Sequence, residues 1–321
     1  MHSSAPKNRT IVRSRNTVRL TRAALQTAYV LSDQLGTSFA ERLFTTPRRH
    51  TRPDRERAVL ATARELSIDV TLRAPRWNNA HLRVAAWAWG TGPTALLVHG
   101  WEGRGSQLGS FVEPLVDAGM TVVAFDAPGH GDSPEHRLYL TDLADTVADV
   151  AAAVGPLHAI VAHSFGAAAV LLAHQRARLT ASRNILVSPN VLIDEALVRF
   201  AHLVGLDSDD RTALEARLAA QTGVGIDELA LPNLVATRDE ALLVIHDTDD
   251  REVPLRHGEQ LAAAWPNATL HTTTNLGHRR ILRDPDVLAL TTAFATTALP
   301  TPISDLVREV DRQLALTPEP S

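Results

Sequence analysis

The chain has 321 residues and a hydrophobic fraction of 45%, which is enough apolar material for the core of one α/β domain with added segments. It contains no cysteine, which excludes disulfides, thiolate metal sites and a cysteine nucleophile. The net charge of −4 is unevenly divided, because residues 1–76 hold 15 Lys or Arg against 6 Asp or Glu and the rest holds 17 against 30.

A basic N-terminal arm on an acidic body can touch anionic partners or its own body. We expect the arm to pack on the body or to bridge subunits, with a homodimer as one outcome, and we expect no binding to nucleic acid. No apolar run is long enough to span a membrane, and the charged N-terminus lacks the apolar stretch of a secretory signal. The simplest expectation is a cytoplasmic protein without a transmembrane segment.

The first elements in chain order are helices. Apolar residues recur at helical spacing over 20–44, which predicts one or two amphipathic helices. Pro53 then opens a further predicted helix over 54–65. We interpret residues 1–66 as a helical extension rather than an independent domain.

From residue 67 onwards, strand patterns alternate with helical ones. Residues 67–74 and 81–89 predict a hairpin of two alternating strands. Short apolar runs then predict buried strands over 94–99, 121–126, 158–163, 184–189, 241–247 and 268–274. Helices are predicted over 105–118, 140–154, 165–177, 255–265, 284–297 and 302–316. This alternation predicts an α/β fold over 67–300, with a mostly parallel sheet covered by helices on both faces, and a C-terminal helix and tail over 301–321.

The alternation is interrupted by a helical stretch over 190–235, which we predict to be a cap inserted between two strands. Its apolar stripe includes four candidate pocket residues, Ile193, Leu197, Phe200 and Leu203. We expect them to cover the catalytic pocket and to favour small to medium apolar acyl groups. The alternative is that the stripe only docks the cap on the body.

Ser164 lies where a buried strand meets a helix, in the sequence Ala162-His163-Ser164-Phe165-Gly166. A tight turn there would hold a nucleophilic hydroxyl at the open end of the sheet, and it requires small residues two positions away on each side. The amide of Phe165, at the start of the helix, could stabilise an oxyanion. The alternative is that Ser164 only caps the helix.

A serine nucleophile needs a histidine base and a carboxylate that holds the tautomer of that histidine. His278 follows a glycine after the predicted eighth strand, and Asp247, Asp249 and Asp250 follow the seventh. Along the chain, the three candidate groups therefore come in the order serine, acid, histidine. The same acidic stretch, with His246, could instead hold a metal ion, but no second ligand group at suitable spacing supports this.

These motifs together make the chain resemble the α/β-hydrolase superfamily over about 67–297. The resemblance is carried by His99-Gly100-Trp101, Asp126 to Ser133, Ala162 to Gly166, Asp250 with Val253-Pro254, and Gly277-His278. It is strongest to bacterial members with a His-Gly-Trp-Glu-Gly-Arg loop and a short helical cap.

The resemblance implies that Asp250 is the acid, because the family pattern Asp-x-x-Val-Pro places it there. It also implies that the amide of Trp101, in the loop after the third strand, is the second oxyanion donor. For His99 we expect a structural hydrogen bond that holds this loop rather than a catalytic role. No cofactor and no metal are implied.

The predicted function is that of a serine hydrolase, which cleaves an ester-like bond of a small acyl substrate through an acyl-enzyme on Ser164, Asp250 and His278. An acyltransferase, a peptidase of the same fold and a non-catalytic binding protein are the alternatives.

Overall fold

The computed structural model describes residues 7–236, 238 and 240–297. Within these residues, eight strands form one sheet in the order β1-β2-β4-β3-β5-β6-β7-β8. The strands are β1 (Arg64–Leu72), β2 (Ala80–Trp89), β3 (Thr94–Val98), β4 (Thr121–Phe125), β5 (Leu157–His163), β6 (Ala181–Val187), β7 (Ala241–Asp247) and β8 (Ala268–Thr273). The predicted C-terminal helix and tail, 301–321, lie outside the described residues.

The strands β4, β3, β5, β6, β7 and β8 run parallel, and β2 runs antiparallel to both of its neighbours, β1 and β4. Its central strands are short and apolar because they are buried on both faces. In β3, Leu96 and Val98 belong to one core cluster while Ala95 and Leu97 belong to the other, as the two-residue period of a strand requires. The predicted mostly parallel sheet with helices on both faces is confirmed.

Helices of the body pack on these two cores. They are α3 (Asp54–Leu60), α4 (Val112–Asp117), α5 (Leu140–Val154), α6 (Phe165–Gln175), α10 (Arg256–Ala264), α11 (Gly277–Arg280) and α12 (Pro285–Thr296). Helices α5, α6 and α10 contribute to the core that contains Leu96 and Val98, and α4 and α12 contribute to the core that contains Ala95 and Leu97. No helix in the described part of the chain is long and apolar enough to cross a membrane.

Two predicted helices differ from the structure. The helix predicted over 54–65 ends at Leu60, because the chain from Arg64 already pairs with β2. The helix predicted over 105–118 is a 3₁₀ helix over Gly105–Phe111 before α4 begins. The amide of Gly105 donates to the Asp126 carboxylate at 2.7 Å, and a Cβ at Gly105 would lie 2.8 Å from a backbone oxygen of Phe125. This docking against the end of β4 holds the segment in the tighter form.

Two groups of helices lie outside the α/β body. The extension contributes α1 (Lys7–Leu31) and α2 (Asp33–Thr45), and the segment between β6 and β7 contributes α7 (Ile193–Val204), α8 (Ser208–Thr222) and α9 (Leu231–Val235). A separate small apolar core joins the two groups through Leu25, Ala40, Leu197, Val204 and Leu214. The extension and the helices of the predicted cap therefore pack on each other.

Ion pairs hold the basic extension to the rest of the chain. Arg52 contacts the buried carboxylate of Asp126 at 2.6 Å, and Arg48 contacts Glu102 at 2.8 Å. Asp126 also accepts backbone N–H groups from Gly105 and Asp132 at 2.7 Å. The carboxylate of Asp126 thus ties the extension to two loops of the body.

Candidate active site

Ser164 occupies the sharp turn between β5 and α6. Its φ of 56° lies in the left-handed region, which costs a serine backbone strain that the surrounding structure must hold. Its side chain makes no capping hydrogen bond to α6, so the structure does not support the alternative in which Ser164 only caps the helix. The turn approaches its neighbours so closely that a Cβ at Gly100 would lie 2.9 Å from the Ser164 Cβ, and one at Gly166 would lie 2.5 Å from the carbonyl oxygen of His99. Glycine is required at both positions for this reason.

The structure brings Ser164, His278 and Asp250 into one hydrogen-bonded line. His278 Nε2 lies 3.0 Å from Ser164 Oγ, and His278 Nδ1 lies 2.7 Å from Asp250 Oδ2. All three residues are nearly buried, at 8 to 9% exposure. The line runs between residues that follow three different strands, β5, β8 and β7, whose carboxyl ends meet at the same edge of the sheet.

The environment of Asp250 favours its ionised form. Burial is the largest influence and would raise the pKa of Asp250, but the contact with His278 and the backbone bonds hold the pKa below 3.8. Asp250 Oδ1 accepts the N–H groups of Glu252 at 2.8 Å and Val253 at 2.9 Å. One carboxylate oxygen is therefore fixed by the backbone while the other faces His278.

The two other aspartates of this stretch contact the backbone instead. Asp247 accepts the N–H of Asp249 at 3.0 Å with one oxygen, and the N–H of Leu276 at 3.0 Å and the hydroxyl of Thr273 at 2.8 Å with the other. Asp249 accepts the N–H of Asn275 at 2.9 Å. Both carboxylates join the loop after β7 to the loop after β8. Within the described residues, no group of three potential ligands is placed to hold a metal ion.

The loop after β3, with Trp101, lies beside Ser164 and is fixed by two buried histidines. His99 Nε2 accepts the N–H of Ala127 at 3.0 Å, and His130 Nε2 accepts the N–H of Glu102 at 3.1 Å. Burial lowers the pKa of His99 to about 4 and that of His130 to about 3, so both rings are neutral near pH 7. They brace the loop without a charge, as the structural role predicted for His99 requires.

The two segments that carry the predicted oxyanion donors, Trp101 and Phe165, adjoin each other beside Ser164. Phe165 is the first residue of α6, and its amide nitrogen would lie 3.3 Å from a Cβ at Gly100, the residue before Trp101. The rings of Trp101 and Phe165 meet edge to face with centroids 6.1 Å apart. The two chain segments that carry these amides are thus adjacent at Ser164.

His163 is a residue of the site to which the sequence analysis gave no role. Its Nε2 lies 3.0 Å from the carbonyl oxygen of His278, and the two rings are 4.6 Å apart. Burial, followed by the neighbouring His278, lowers the pKa of His163 to about 3. The neutral ring donates to the backbone of His278 and supports the position of that residue. Its place at the end of β5, next to Ser164, was the available signal.

A cavity of about 710 Å³ opens beside this line of residues. The four candidate pocket residues of α7, Ile193, Leu197, Phe200 and Leu203, all line it. Trp101 and Phe165 line it too, whereas Ser164 and His278 are not part of its wall. The cavity therefore reaches the residues that adjoin Ser164. Residues of the extension, among them Val18 and Phe39, line it as well, a contribution that the sequence analysis missed.

Comparisons with known proteins agree with this architecture. A model of the alpha/beta hydrolase family matches residues 95–290. A pimeloyl-acyl-carrier protein methyl ester esterase from Aromatoleum aromaticum is 30% identical in an alignment of 240 residues that covers 62% of this chain and 96% of that protein.

Two solved structures illustrate the likeness in fold. A thermophilic esterase from Thermogutta terrifontis has a TM-score of 0.53 at 18% identity, covering 77% of this chain and 99% of that one. Est1E from Butyrivibrio proteoclasticus, bound to ferulic acid, has a TM-score of 0.54 at 19% identity, covering 73% of this chain and 96% of that one.

Proposed function

The chain belongs to the alpha/beta hydrolase family, as its motifs predict, and we propose that it hydrolyses a carboxylic ester or thioester through an acyl-enzyme on Ser164. One observation carries the proposal: Ser164 Oγ, the His278 ring and Asp250 Oδ2 form a continuous line at 3.0 and 2.7 Å. The similarity to a curated esterase over most of that protein's length supports an ester as the substrate.

The first half of the reaction is acyl transfer to the enzyme. Ser164 Oγ attacks the carbonyl carbon while His278 Nε2 takes the hydroxyl proton. Negative charge moves to the carbonyl oxygen, where the amides of Phe165 and Trp101 donate hydrogen bonds to it. The tetrahedral intermediate then collapses, and His278 gives its proton to the departing alcohol or thiol.

The second half repeats these steps with water. His278 Nε2 takes a proton from the water that attacks the acyl-enzyme, and Ser164 regains its proton when the acid leaves. Throughout, Asp250 keeps the proton of neutral His278 on Nδ1 and stabilises the imidazolium. The backbone N–H groups of Glu252 and Val253 fix the carboxylate for this purpose.

The test is active-site labelling with a fluorophosphonate probe, combined with turnover of p-nitrophenyl butyrate. Ser164→Ala should abolish both labelling and turnover with an unchanged circular dichroism spectrum. Ser182→Ala, which alters an exposed serine of β6, should retain both. Hydrolysis by Ser164→Ala at the wild-type rate would remove Ser164 from the mechanism. When an alcohol acceptor is added, the free acid should remain the main product, and transfer to the acceptor would indicate an acyltransferase.

A further inference from the structure

The cavity beside the nucleophile has two walls that come from segments far apart in the sequence. One wall is formed by α7 and α8, and the other by α1, α2 and the residues after α2. Phe44 from the extension and Phe200 from α7 meet edge to face, with ring centroids 4.9 Å apart. The extension is therefore part of the cavity rather than an addition remote from it.

The chemistry of the cavity wall points to an aliphatic ligand. Most of its lining side chains are apolar, among them Val18, Phe39, Leu43, Leu138, Leu197 and Leu218. Five charged residues also reach it. Arg48 and Glu102 pair with each other, Arg199 pairs with Glu195, and Glu215 pairs with Arg211. The fifth, Arg42, is exposed.

The size of the cavity exceeds the need of a small acyl group. Its 710 Å³ falls in the upper part of the roughly 300–1,000 Å³ range in which pockets enclose ligands of drug size. The expectation of small to medium acyl groups considered the cap alone, without the second wall. Because Trp101 and Phe165 lie at the wall next to Ser164, an acyl carbonyl at the serine can extend its chain between the two walls.

Polar contacts join the two walls to each other. Arg22 of α1 donates to the carbonyl oxygens of Leu203 at 2.7 Å and His202 at 2.6 Å, at the end of α7. Glu41 of α2 is buried and contacts Arg217 of α8 and Arg76 of the body. These contacts fix the distance between α2 and the cap helices, and with it the width of the cavity.

We propose that this cavity is the binding site for a long unbranched acyl chain and that the N-terminal extension supplies one of its walls. The proposal rests on the proposed esterase function and names the substrate class, an ester of an acyl group of about ten or more carbons. Each methylene that enters the cavity should raise kcat/KM about fourfold, the factor that corresponds to burial of one CH₂, until the cavity is full.

The experiment compares two tryptophan substitutions on α1. Val18 lines the cavity, whereas Leu20, two residues later, is 72% exposed and does not. For the wild-type protein, kcat/KM on p-nitrophenyl esters should rise from butyrate to dodecanoate. Val18→Trp should lower the dodecanoate-to-butyrate ratio at least tenfold, and Leu20→Trp should leave the ratio unchanged. An unchanged ratio in Val18→Trp, in a protein that still labels with fluorophosphonate, would overturn the acyl-chain site and leave the esterase function standing.

A binding measurement separates this inference from the catalytic proposal. Ser164→Ala should bind the fluorescent long-chain acid cis-parinaric acid, and the double variant with Val18→Trp should bind it at least tenfold more weakly. If the wild-type protein neither labels nor hydrolyses esters, the esterase proposal fails, and Val18-dependent binding would still support the chain site. Failure of Ser164→Ala to bind cis-parinaric acid would overturn the chain site whatever the catalytic result.

Discussion

Replacement of Asp250 by asparagine tests the proposed acid at a single atom. Asp250 Oδ1 accepts two backbone N–H groups, so the carbonyl oxygen of the introduced amide should remain there. The NH₂ group of that amide then faces His278 Nδ1, where the carboxylate oxygen lay 2.7 Å away. Because an NH₂ group can only donate, Nδ1 must accept and the ring proton moves to Nε2. His278 then presents a donor to Ser164 Oγ and cannot take its proton.

A misplaced tautomer of this kind lowers kcat by about 10⁴ in serine proteases, which is about 5 kcal/mol of transition-state stabilisation. We expect a loss of that order for D250N in kcat/KM on p-nitrophenyl butyrate near neutral pH, with the melting temperature measured in parallel. The control is D249N, since Asp249 contacts the backbone of Asn275 at the surface and should retain activity within about tenfold. If D250N stayed within tenfold of wild type while D249N lost most of its activity, the acid would be Asp249.

Three further outcomes follow from the contacts. Glu41→Gln should lower the unfolding free energy by about 3 kcal/mol and the melting temperature by about 5–10 °C, because buried Glu41 contacts several arginines. An unchanged melting temperature in calorimetry would contradict a stabilising role for these ion pairs. Gly100→Ala should lower kcat/KM at least ~100-fold, because the new Cβ would lie 2.9 Å from the Cβ of Ser164. Gly225→Ala, whose Cβ would make only an ordinary contact, should keep the wild-type kcat/KM, and equal kcat/KM values for the two variants would refute the argument. Buried His99, His130 and His163 have pKa values lowered from 6.5 to about 4, 3 and 3, so the unfolded state binds more protons below pH 6.5. Stability should therefore fall as pH drops from 6.5 towards 4, by up to about 1.4 kcal/mol per residue per pH unit, and urea unfolding at pH 7.5 and 5 would contradict this if the free energies were equal.

The sequence predicts those parts of the molecule that depend on local pattern. The strands and Ser164 fall where expected, because a buried strand followed by small residues and a helix specifies its own turn. The prediction of one α-helix over 105–118 was wrong in helix type, because the carboxylate of Asp126, 21 residues further along the chain, fixes the start of this segment. A periodicity argument sees spacing along one segment and has no information on such a partner.

The second wall of the cavity shows the same limit over a longer range. The spacing over 20–44 predicts amphipathic helices but does not identify the surface that they cover. The partner of Arg22 is Leu203, 181 residues further along the chain. No pattern within either segment joins them, so the expected size of the acyl group considered the cap alone. Asp250 was selected among three neighbours by motif, whereas the structure distinguishes them by what each carboxylate accepts.

The histidines around Ser164 show how one ring can serve as the base among several. His99 and His130 each accept a backbone N–H at Nε2, so protonation of that nitrogen would break the bond and leave two donors facing each other. His163 faces the carbonyl oxygen of His278 and lies 4.6 Å from its ring, so a proton on each would place two charges side by side. His278 differs because a carboxylate lies 2.7 Å from Nδ1 and a hydroxyl 3.0 Å from Nε2. This geometry is why the proposed mechanism passes the serine proton to His278 and not to one of the neighbouring rings.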